Sequence, residues 1–269
     1  MNRLAVAKRV SAAVAIGALA LACAVSRAAS IPTDYTDTWW NSAESGWGVQ
    51  LIQQVDVIFA TIYVYDLQSN PDWYAATLNP QPDGAWKGDL YATHGPWLGG
   101  SFDSKAVTTR RVGDLALTFT GSNRGALVYS IDGVPVSRTV ERMTMRTADL
   151  SGVYMFWMNA TIGACGGEPA QSGALAAVAS FTHAGGSVSA QVQLVAADGT
   201  LACDFSGAFV QTGRLGRTDG TFSCAAGAAY GTYSMTDLET APDHMCGEFV
   251  MRNSVNGCTL SSTFASVRQ

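Results

Sequence analysis

Short runs of β-branched and aromatic residues, separated by turn-forming residues, constrain the fold of this chain more than any other feature. Val, Ile, Thr, Tyr, Phe and Trp recur in brief segments, and Gly, Asn, Asp and Pro interrupt them. The spacing of three to four residues that marks an amphipathic helix is almost absent. The pattern therefore predicts an all-β protein with antiparallel strands.

The first half contains eight candidate strands separated by clear turn sequences. The stretches LQSNP (67–71), QPDG (81–84) and GSNRG (121–125) supply residues that accept a positive φ. The Asp-Gly pair at 132–133 predicts a two-residue hairpin turn. The predicted strands are 46–54, 56–66, 72–79, 84–93, 106–111, 114–120, 125–131 and 134–145.

The second half differs in composition and also contains eight candidate strands. Six of the seven tryptophans precede residue 98, whereas Ala, Gly, Ser and Thr dominate from Leu150 onward. The strands predicted there are shorter: 150–158, 174–183, 187–196, 201–210, 219–224, 229–236, 246–252 and 258–267. We expect two domains, residues 33–147 and 150–269, each forming a small closed β-barrel or a two-sheet β-sandwich.

Residues 1–28 have the composition of a secretory signal peptide. Arg3, Lys8 and Arg9 precede an apolar stretch at 10–25, and small residues stand before the expected cleavage after Ala28. A membrane anchor and a lipidated N-terminus at Cys23 are the alternatives. The prediction is an exported protein, periplasmic or extracellular.

Charge restricts the partners of the exported chain. Cleavage after Ala28 leaves 12 Lys+Arg against 21 Asp+Glu, a net charge of about −9. An acidic chain with so few basic residues is not expected to bind nucleic acid. We also expect no membrane contact other than through lipidation at Cys23.

The five remaining cysteines predict disulfide bonds, because export favours their formation. Cys203 and Cys224 are symmetric about a predicted turn at 212–217 and are expected to pair. Cys165 is then expected to pair with Cys258, which leaves Cys246 free or bonded to another chain. No C-x-x-C spacing or adjacent histidine is present, so we expect neither a metal site nor a cofactor.

The segment WWNSAESGWG (39–48) is the most unusual stretch of the first half. Together with YVYD (63–66) and PDWY (71–74), it resembles a family of secreted bacterial proteins that share these three motifs. The resemblance covers residues 34–145 most clearly and extends to the cysteine-containing half. No activity is established for that family, so the resemblance implies secretion and a two-part layout but no catalytic residues.

Aromatic residues are concentrated in and after this segment, and two interpretations of them remain open. In strand 56–66, Ile58 and Ile62 share one face while Tyr63 and Tyr65 share the other, which predicts a strand covered on both sides. The rings either fill a barrel core or line an open site for a glycan or a small apolar ligand. The candidate ligand-binding residues are Trp39, Trp40, Asn41, Glu44, Trp47, Gln50, Tyr63, Tyr65 and Trp73.

The leading functional hypothesis is an exported, non-catalytic binding protein whose first domain holds the ligand and whose second domain is structural. One alternative is a structural or partner-binding envelope module. Another is a polysaccharide-acting enzyme that uses Glu44 as its acid, which would require a second carboxylate nearby. No G-x-S-x-G motif is present, and Arg138, Arg142 and Arg146 are interpreted as solvated residues of an outer strand.

Overall fold

A computed structural model of the chain describes residues 33–165, 169–196, 199–225 and 229–269. The predicted signal peptide and Cys23 lie outside these residues. The described chain divides into two compact units. One contains residues 33–147 together with 211–214, and the other contains the remainder. The sequence prediction had placed residues 211–214 in the second domain, 150–269.

The first unit is a closed barrel of eight antiparallel strands in chain order, in which β8 returns to pair with β1. The all-β prediction is confirmed, and the barrel is the correct alternative to the sandwich. The strands are β1 (Asp37–Trp40), β2 (Gly48–Gln54), β3 (Val57–Tyr65), β4 (Pro71–Pro80), β5 (Trp86–His94), β6 (Thr108–Phe119), β7 (Arg124–Ile131) and β8 (Val134–Arg142). A short 3-10 helix spans Ser104–Ala106.

Two details of this barrel differ from the prediction. The sequence analysis missed β1, because its four residues, DTWW, are too few to show alternation. It also divided β6 into two strands at Gly113. Gly113 instead lies within one continuous strand, where an added Cβ would approach the Ser130 carbonyl oxygen to 2.0 Å.

The second unit is also a closed antiparallel barrel of eight strands, with β9 completing the ring between β16 and β10. Its strands are β9 (Gly152–Ile162), β10 (Gln171–Ala184), β11 (Ser187–Ala196), β12 (Gly199–Thr212), β13 (Leu215–Cys224), β14 (Tyr230–Thr240), β15 (His244–Asn253) and β16 (Thr259–Arg268). The prediction of shorter strands is wrong. Ala- and Ser-rich sequence has low β-propensity, but pairing on both sides within a closed barrel extends these strands.

The Asp132–Gly133 hairpin turn is confirmed. Both residues have positive φ, 48° and 85°, as a type I′ turn requires. Ile131 and Val134 flank the turn as a register pair that joins β7 to β8.

Aliphatic side chains fill the first barrel. On β3, Ile58, Ala60 and Ile62 are completely buried, whereas Tyr63 and Tyr65 on the opposite face are exposed. The prediction that β3 is covered on both sides is therefore wrong. An eight-stranded barrel has interior room for only one face of each strand, so the other face lies on the outer wall.

Phenylalanine and alanine fill the second barrel, in contrast to the leucine and isoleucine of the first. Its phenylalanine rings contact one another directly, and alanines occupy the positions between them. The main buried residues of the two types are Phe156, Phe181, Phe205, Phe222, Phe264, Ala177, Ala179 and Ala190.

Arg142 is a fully buried cation at the seam where β8 meets β1. The interpretation of Arg142 as solvated is wrong, because its position in the alternation of β8 faces the interior, like Val140. Its guanidinium donates to three backbone carbonyl oxygens: those of Ser122 (2.7 Å), Thr36 (3.0 Å) and Asp34 (2.6 Å). These bonds satisfy donors that burial would otherwise leave unpaired.

A carboxylate and an aromatic ring complete the surroundings of Arg142. Asp37 accepts from Nη1 at 3.2 Å, and the guanidinium lies 4.9 Å from the centre of the Trp39 ring. Burial lowers the pKa of Arg142 from its ordinary value, and the hydrogen bond to Asp37 opposes that effect. Arg142 therefore joins the residues before β1, β1 itself and β8 in one network.

Substitution of Arg142 by Ala should lower the free energy of unfolding of the first barrel by about 3–5 kcal/mol, because it removes the guanidinium donor of three backbone carbonyls and the cation beside Asp37. Arg142→Lys should recover only part of the loss, since an ammonium cannot match the planar fork. Denaturant unfolding followed by tryptophan fluorescence measures the effect. Arg138→Ala, which removes an exposed cation of the same strand, should cost less than about 1 kcal/mol; equal losses for the two Ala variants would contradict the prediction.

Within the described residues, the disulfides Cys203–Cys224 and Cys165–Cys258 brace the second barrel, and both are pairings expected from the sequence. The first joins β12 to β13 across their hairpin, with Cα atoms 3.9 Å apart. The second links residues 93 positions apart. None of the cysteines in the described part of the chain is a free thiol, so the expectation of a free Cys246 is wrong.

Replacing Cys165 and Cys258 together by Ser should lower the stability of the second barrel by about 4–5 kcal/mol. The bond closes a loop of more than ninety residues and so restricts the unfolded chain strongly. Far-UV circular dichroism during denaturation measures the loss. The tryptophan transition should not move, because six of the seven tryptophans lie in the other barrel. A loss below about 1 kcal/mol would argue against a stabilising role for this bond.

Candidate functional site

Trp39, a predicted ligand-binding residue, lies in the core of the first barrel. Its side chain is completely buried, and its Nε1 donates to the Tyr35 carbonyl oxygen at 2.9 Å. Its ring also packs against Phe119, at 5.1 Å between centroids. A ligand at the protein surface cannot reach this ring, so the assignment of Trp39 to a binding site is wrong. The inward position of Trp39 on β1 is the physical reason.

The turn that follows β1 is held together by its own polar side chains. Asn41 Oδ1 accepts from the Ala43 backbone at 3.0 Å. Glu44 Oε2 accepts from Trp47 Nε1 at 3.3 Å and pairs with Arg138 Nε at 2.9 Å. Both partners of Glu44 donate hydrogen bonds to its carboxylate. Glu44 therefore stabilises the turn as a hydrogen-bond acceptor. Trp40 is half-buried next to this turn and stands opposite Glu141 of β8.

Four predicted residues do come together, on the outer wall of the first barrel. Tyr63 of β3 and Trp73 of β4 are direct register partners, and Tyr63 Oη donates to Gln50 Oε1 of β2 at 3.2 Å. Tyr65 follows on the same face of β3. The rings are 47–59% exposed, which is unusual for side chains of this size. We call Gln50, Tyr63, Tyr65 and Trp73 the outer aromatic row. The row lies outside the core, and Tyr65 stands at the end of β3, opposite Pro71 at the start of β4.

A groove of about 930 Å³ adjoins this row on the same wall. Ala75 lies two residues beyond Trp73 on the same face of β4, and it belongs to the groove lining together with Ala116. Phe59 and Tyr91 contribute rings to the lining. The volume is within the range of small-molecule and oligosaccharide sites. The groove and the row thus lie next to each other on the outer wall, on strands between β2 and β8.

Gly88 explains how a barrel, which is convex outside, carries a groove. A Cβ at this position would lie 2.0 Å from the Thr77 carbonyl oxygen, so only glycine permits β4 and β5 to approach this closely. The ladder between β5 and β6 also shifts register between Leu90 and Tyr91. Such irregularities bend a strand and increase its local twist, and both lie within the groove.

Paired charges surround the groove. Arg111 bonds to Asp89 at 2.8 Å and also to Asp114, which stands opposite Asp89 in the register. Lys87 Nζ pairs with Asp83 at 2.7 Å. The hydrogen bond from Arg111 holds the pKa of Asp89 below its ordinary value. Arg111 therefore orients the carboxylates of both Asp89 and Asp114 and offsets the charge of one of the two.

The sequence analysis missed this groove. The alternation Lys87, Asp89, Tyr91 was visible in the predicted strand 84–93 and indicates one polar, ring-bearing face. It could not show that β4, β5 and β6 are adjacent, or that Gly88 creates a depression between them. Those facts depend on pairing in three dimensions.

Among residues 33–165, 169–196, 199–225 and 229–269, no group of three or more His, Cys, Asp or Glu side chains could hold a metal ion. In the part of the chain that the structure describes, no helix has the length and apolar character needed to span a membrane.

Comparison with known proteins gives little. No protein-family model matches the chain, and neither does any curated protein. One similar solved structure is that of a "putative outer membrane protein" from Bacteroides fragilis, at 12% identity and a TM-score of 0.29, covering 87% of this chain and 96% of that one. A TM-score this low carries no argument about function. The resemblance to a secreted family stays a prediction.

Replacing Arg111 by Met should raise the pKa of Asp89, because the carboxylate loses its donor and faces the like charge of Asp114. In the native protein the pairing contributes stability above pH 3.8, the ordinary value, and this contribution is lost as the pH falls through the lowered pKa. A ¹³C-carboxyl NMR titration measures both proteins. The control is Arg110→Met, which removes the partner of Asp132 and should leave the pKa of Asp89 unchanged. If the pKa of Asp89 does not change in Arg111→Met, Arg111 is not the cause of its lowering.

Proposed function

We propose that the protein is an exported, non-catalytic binding protein that holds a neutral glycan in the outer groove of the first barrel. The composition of residues 1–28 supports export. So do the two disulfides, which form and persist in oxidising compartments. The observation that carries the ligand assignment is the 930 Å³ groove in which exposed rings and fixed polar groups converge.

Exposed rings are the first requirement of this proposal. Sugar rings present apolar C–H faces that pack on aromatic side chains, and the groove offers Phe59 and Tyr91 for this contact. Tyr63 and Trp73 extend the platform beyond one end of the groove. Large rings left half-exposed on one wall indicate an interaction surface, since burial would otherwise stabilise the fold.

Oriented hydrogen-bonding groups are the second requirement. Asp89, Asp114 and Asn79 line the groove: the two carboxylates can accept from hydroxyl groups, and the Asn79 amide can both accept and donate. Tyr91 Oη donates to Asp89 Oδ2 at 3.3 Å, so the ring and the acid are held together. Arg111 offsets the charge of one of the two carboxylates, so the remaining negative charge disfavours an anion while the oriented oxygens suit the hydroxyl groups of a neutral polyol. Ligand hydroxyls would add to bonds that are already oriented, which limits the entropic cost of binding.

The enzyme hypothesis has less support. A glycosidase needs two carboxyl groups about 5–9 Å apart, one of which acts as an acid. The recorded partners of Glu44 are Arg138 and Trp47, which hold it as an acceptor at the protein surface. Glu44 belongs to the turn after β1 and is not part of the groove lining.

The test is a calorimetric titration of the mature protein with cellohexaose, xylohexaose, maltohexaose and chitohexaose. We expect at least one to bind, and we expect Tyr91→Ala and Phe59→Ala each to weaken binding by about tenfold or more, as truncated aromatic contacts commonly do. Trp73→Ala should weaken binding less if the glycan extends over the outer aromatic row. Glu44→Gln should have no effect.

Tyr230→Ala is the control, because it removes an exposed tyrosine ring from the second barrel, outside the groove. All variants are first compared by circular dichroism and thermal unfolding. Absence of binding to every oligosaccharide would overturn the proposal, and so would equal effects of Tyr91→Ala and Tyr230→Ala. In that case the exposed rings belong to a surface for a protein partner.

A further inference from the structure

The second barrel contains a cavity of about 70 Å³ that shares no lining residue with the proposed glycan site. Its lining comes from the inward faces of the strands. Alanines stand where longer aliphatic chains could have filled the space: Ala177 and Ala179 on β10 and Ala190 on β11. In the first barrel the corresponding interior is built from leucine, isoleucine and tryptophan.

The lining is almost free of polar atoms. Its single hydroxyl is that of Tyr233, which already shares a hydrogen bond with Thr218 at 3.2 Å. A cavity of this volume could accommodate water by size, but a buried water needs two to four polar partners. The chemistry of this cavity therefore favours a hydrocarbon group over water.

One end of the barrel gives access to the cavity. Inward-facing apolar residues there are only half-buried, and they form register pairs: Met158 with Leu175, Leu194 with Leu201, and Met251 with Leu260. Farther along the same strands the interior closes, as at Phe156 and Ala179. Solvent-reachable apolar side chains thus lead from this end to the cavity.

The side chains around the cavity can adapt to an entering group. Met158, Met235 and Met251 belong to the lining, and methionine is unbranched and polarisable, so it repacks readily around different shapes. Eight-stranded barrels have interiors just large enough either to be filled by side chains or to hold one small ligand. The interior of the second barrel lies between these two cases, because side chains fill only part of it and its methionines can repack.

We propose that the second barrel binds the end of a saturated hydrocarbon chain, inserted through the end ringed by the methionine and leucine pairs. The site is separate from the outer groove of the first barrel and does not depend on the function proposed for it. The expectation that the second domain is purely structural would then be replaced by a second binding activity of different chemistry.

The test uses the full mature protein with ¹³C-methyl-labelled methionine, titrated with dodecanoate below its micellar concentration. We expect saturable shifts of the Met158, Met235 and Met251 methyl resonances. Met145 and Met155, which are exposed, should not move. Acetate carries the same carboxylate without the chain and should shift none of them.

Two matched variants locate the chain. Ala179→Leu fills the cavity and should weaken dodecanoate binding by about tenfold or more, because the added methyl groups occupy the ligand's position. Ala176→Leu makes the same change on the outward face of β10 and should bind normally. If Ala179→Leu does not fold, Ala190→Val adds a smaller group to the same cavity and replaces it.

Several outcomes would overturn the proposal: no shift, shifts confined to the exposed methionines, equal shifts with acetate, or undiminished binding by the cavity-filling variant. Tyr91→Ala distinguishes this site from the glycan groove, since it should leave dodecanoate binding unchanged. Failure of oligosaccharide binding with retained dodecanoate binding would reject the proposed function alone. The reverse result would reject this inference alone.

Discussion

The closure of the first barrel depends on the seam between β1 and β8, and Arg142 is the residue that holds it. β1 has only four residues and pairs with β8 through two register positions, Trp39 with Arg142 and Trp40 with Glu141. So short a ladder supplies few backbone hydrogen bonds. The buried guanidinium adds bonds to the chain before β1 and to the loop before β7, and it packs over Trp39. A closed barrel has no exposed sheet edge, so the integrity of this seam also protects the outer wall from unwanted strand pairing.

The two barrels share strand number and connectivity but differ in how their interiors are packed. Leu and Ile side chains with Trp39 and Trp86 fill the first, so its chemistry can lie only on its outer wall. Phe and Ala fill the second and leave space among the rings, so its interior can take part in binding. The same topology therefore offers two surfaces of opposite polarity. One is a groove lined partly by charged side chains, and the other is an apolar cavity lined partly by methionines, which repack readily.

The outer groove shows how a local backbone feature creates a site from ordinary strand residues. Asp89 and Tyr91 would be unremarkable on a convex wall. The close approach of β4 and β5 at Gly88, together with the register shift beside Leu90, makes the wall concave and brings their side chains toward a common space. Arg111 then keeps two facing carboxylates compatible, which would otherwise repel each other across the β5–β6 ladder.

The sequence by itself determined the class of fold, the Asp132–Gly133 turn and both disulfide pairings. It also predicted sixteen strands, although that total is correct only because the missed β1 offsets the division of β6 into two. These follow from local features: alternation, turn residues and cysteine spacing. It could not decide which face of β1 or β8 points inward. That choice buried Trp39 and Arg142, which the sequence had placed in a site and in solvent. Only the tertiary structure decided barrel against sandwich, the groove at Gly88 and the cavity beside Ala179. Each depends on which strands become neighbours and on how many side chains the enclosed volume can hold, and neither quantity is written in any local stretch of residues.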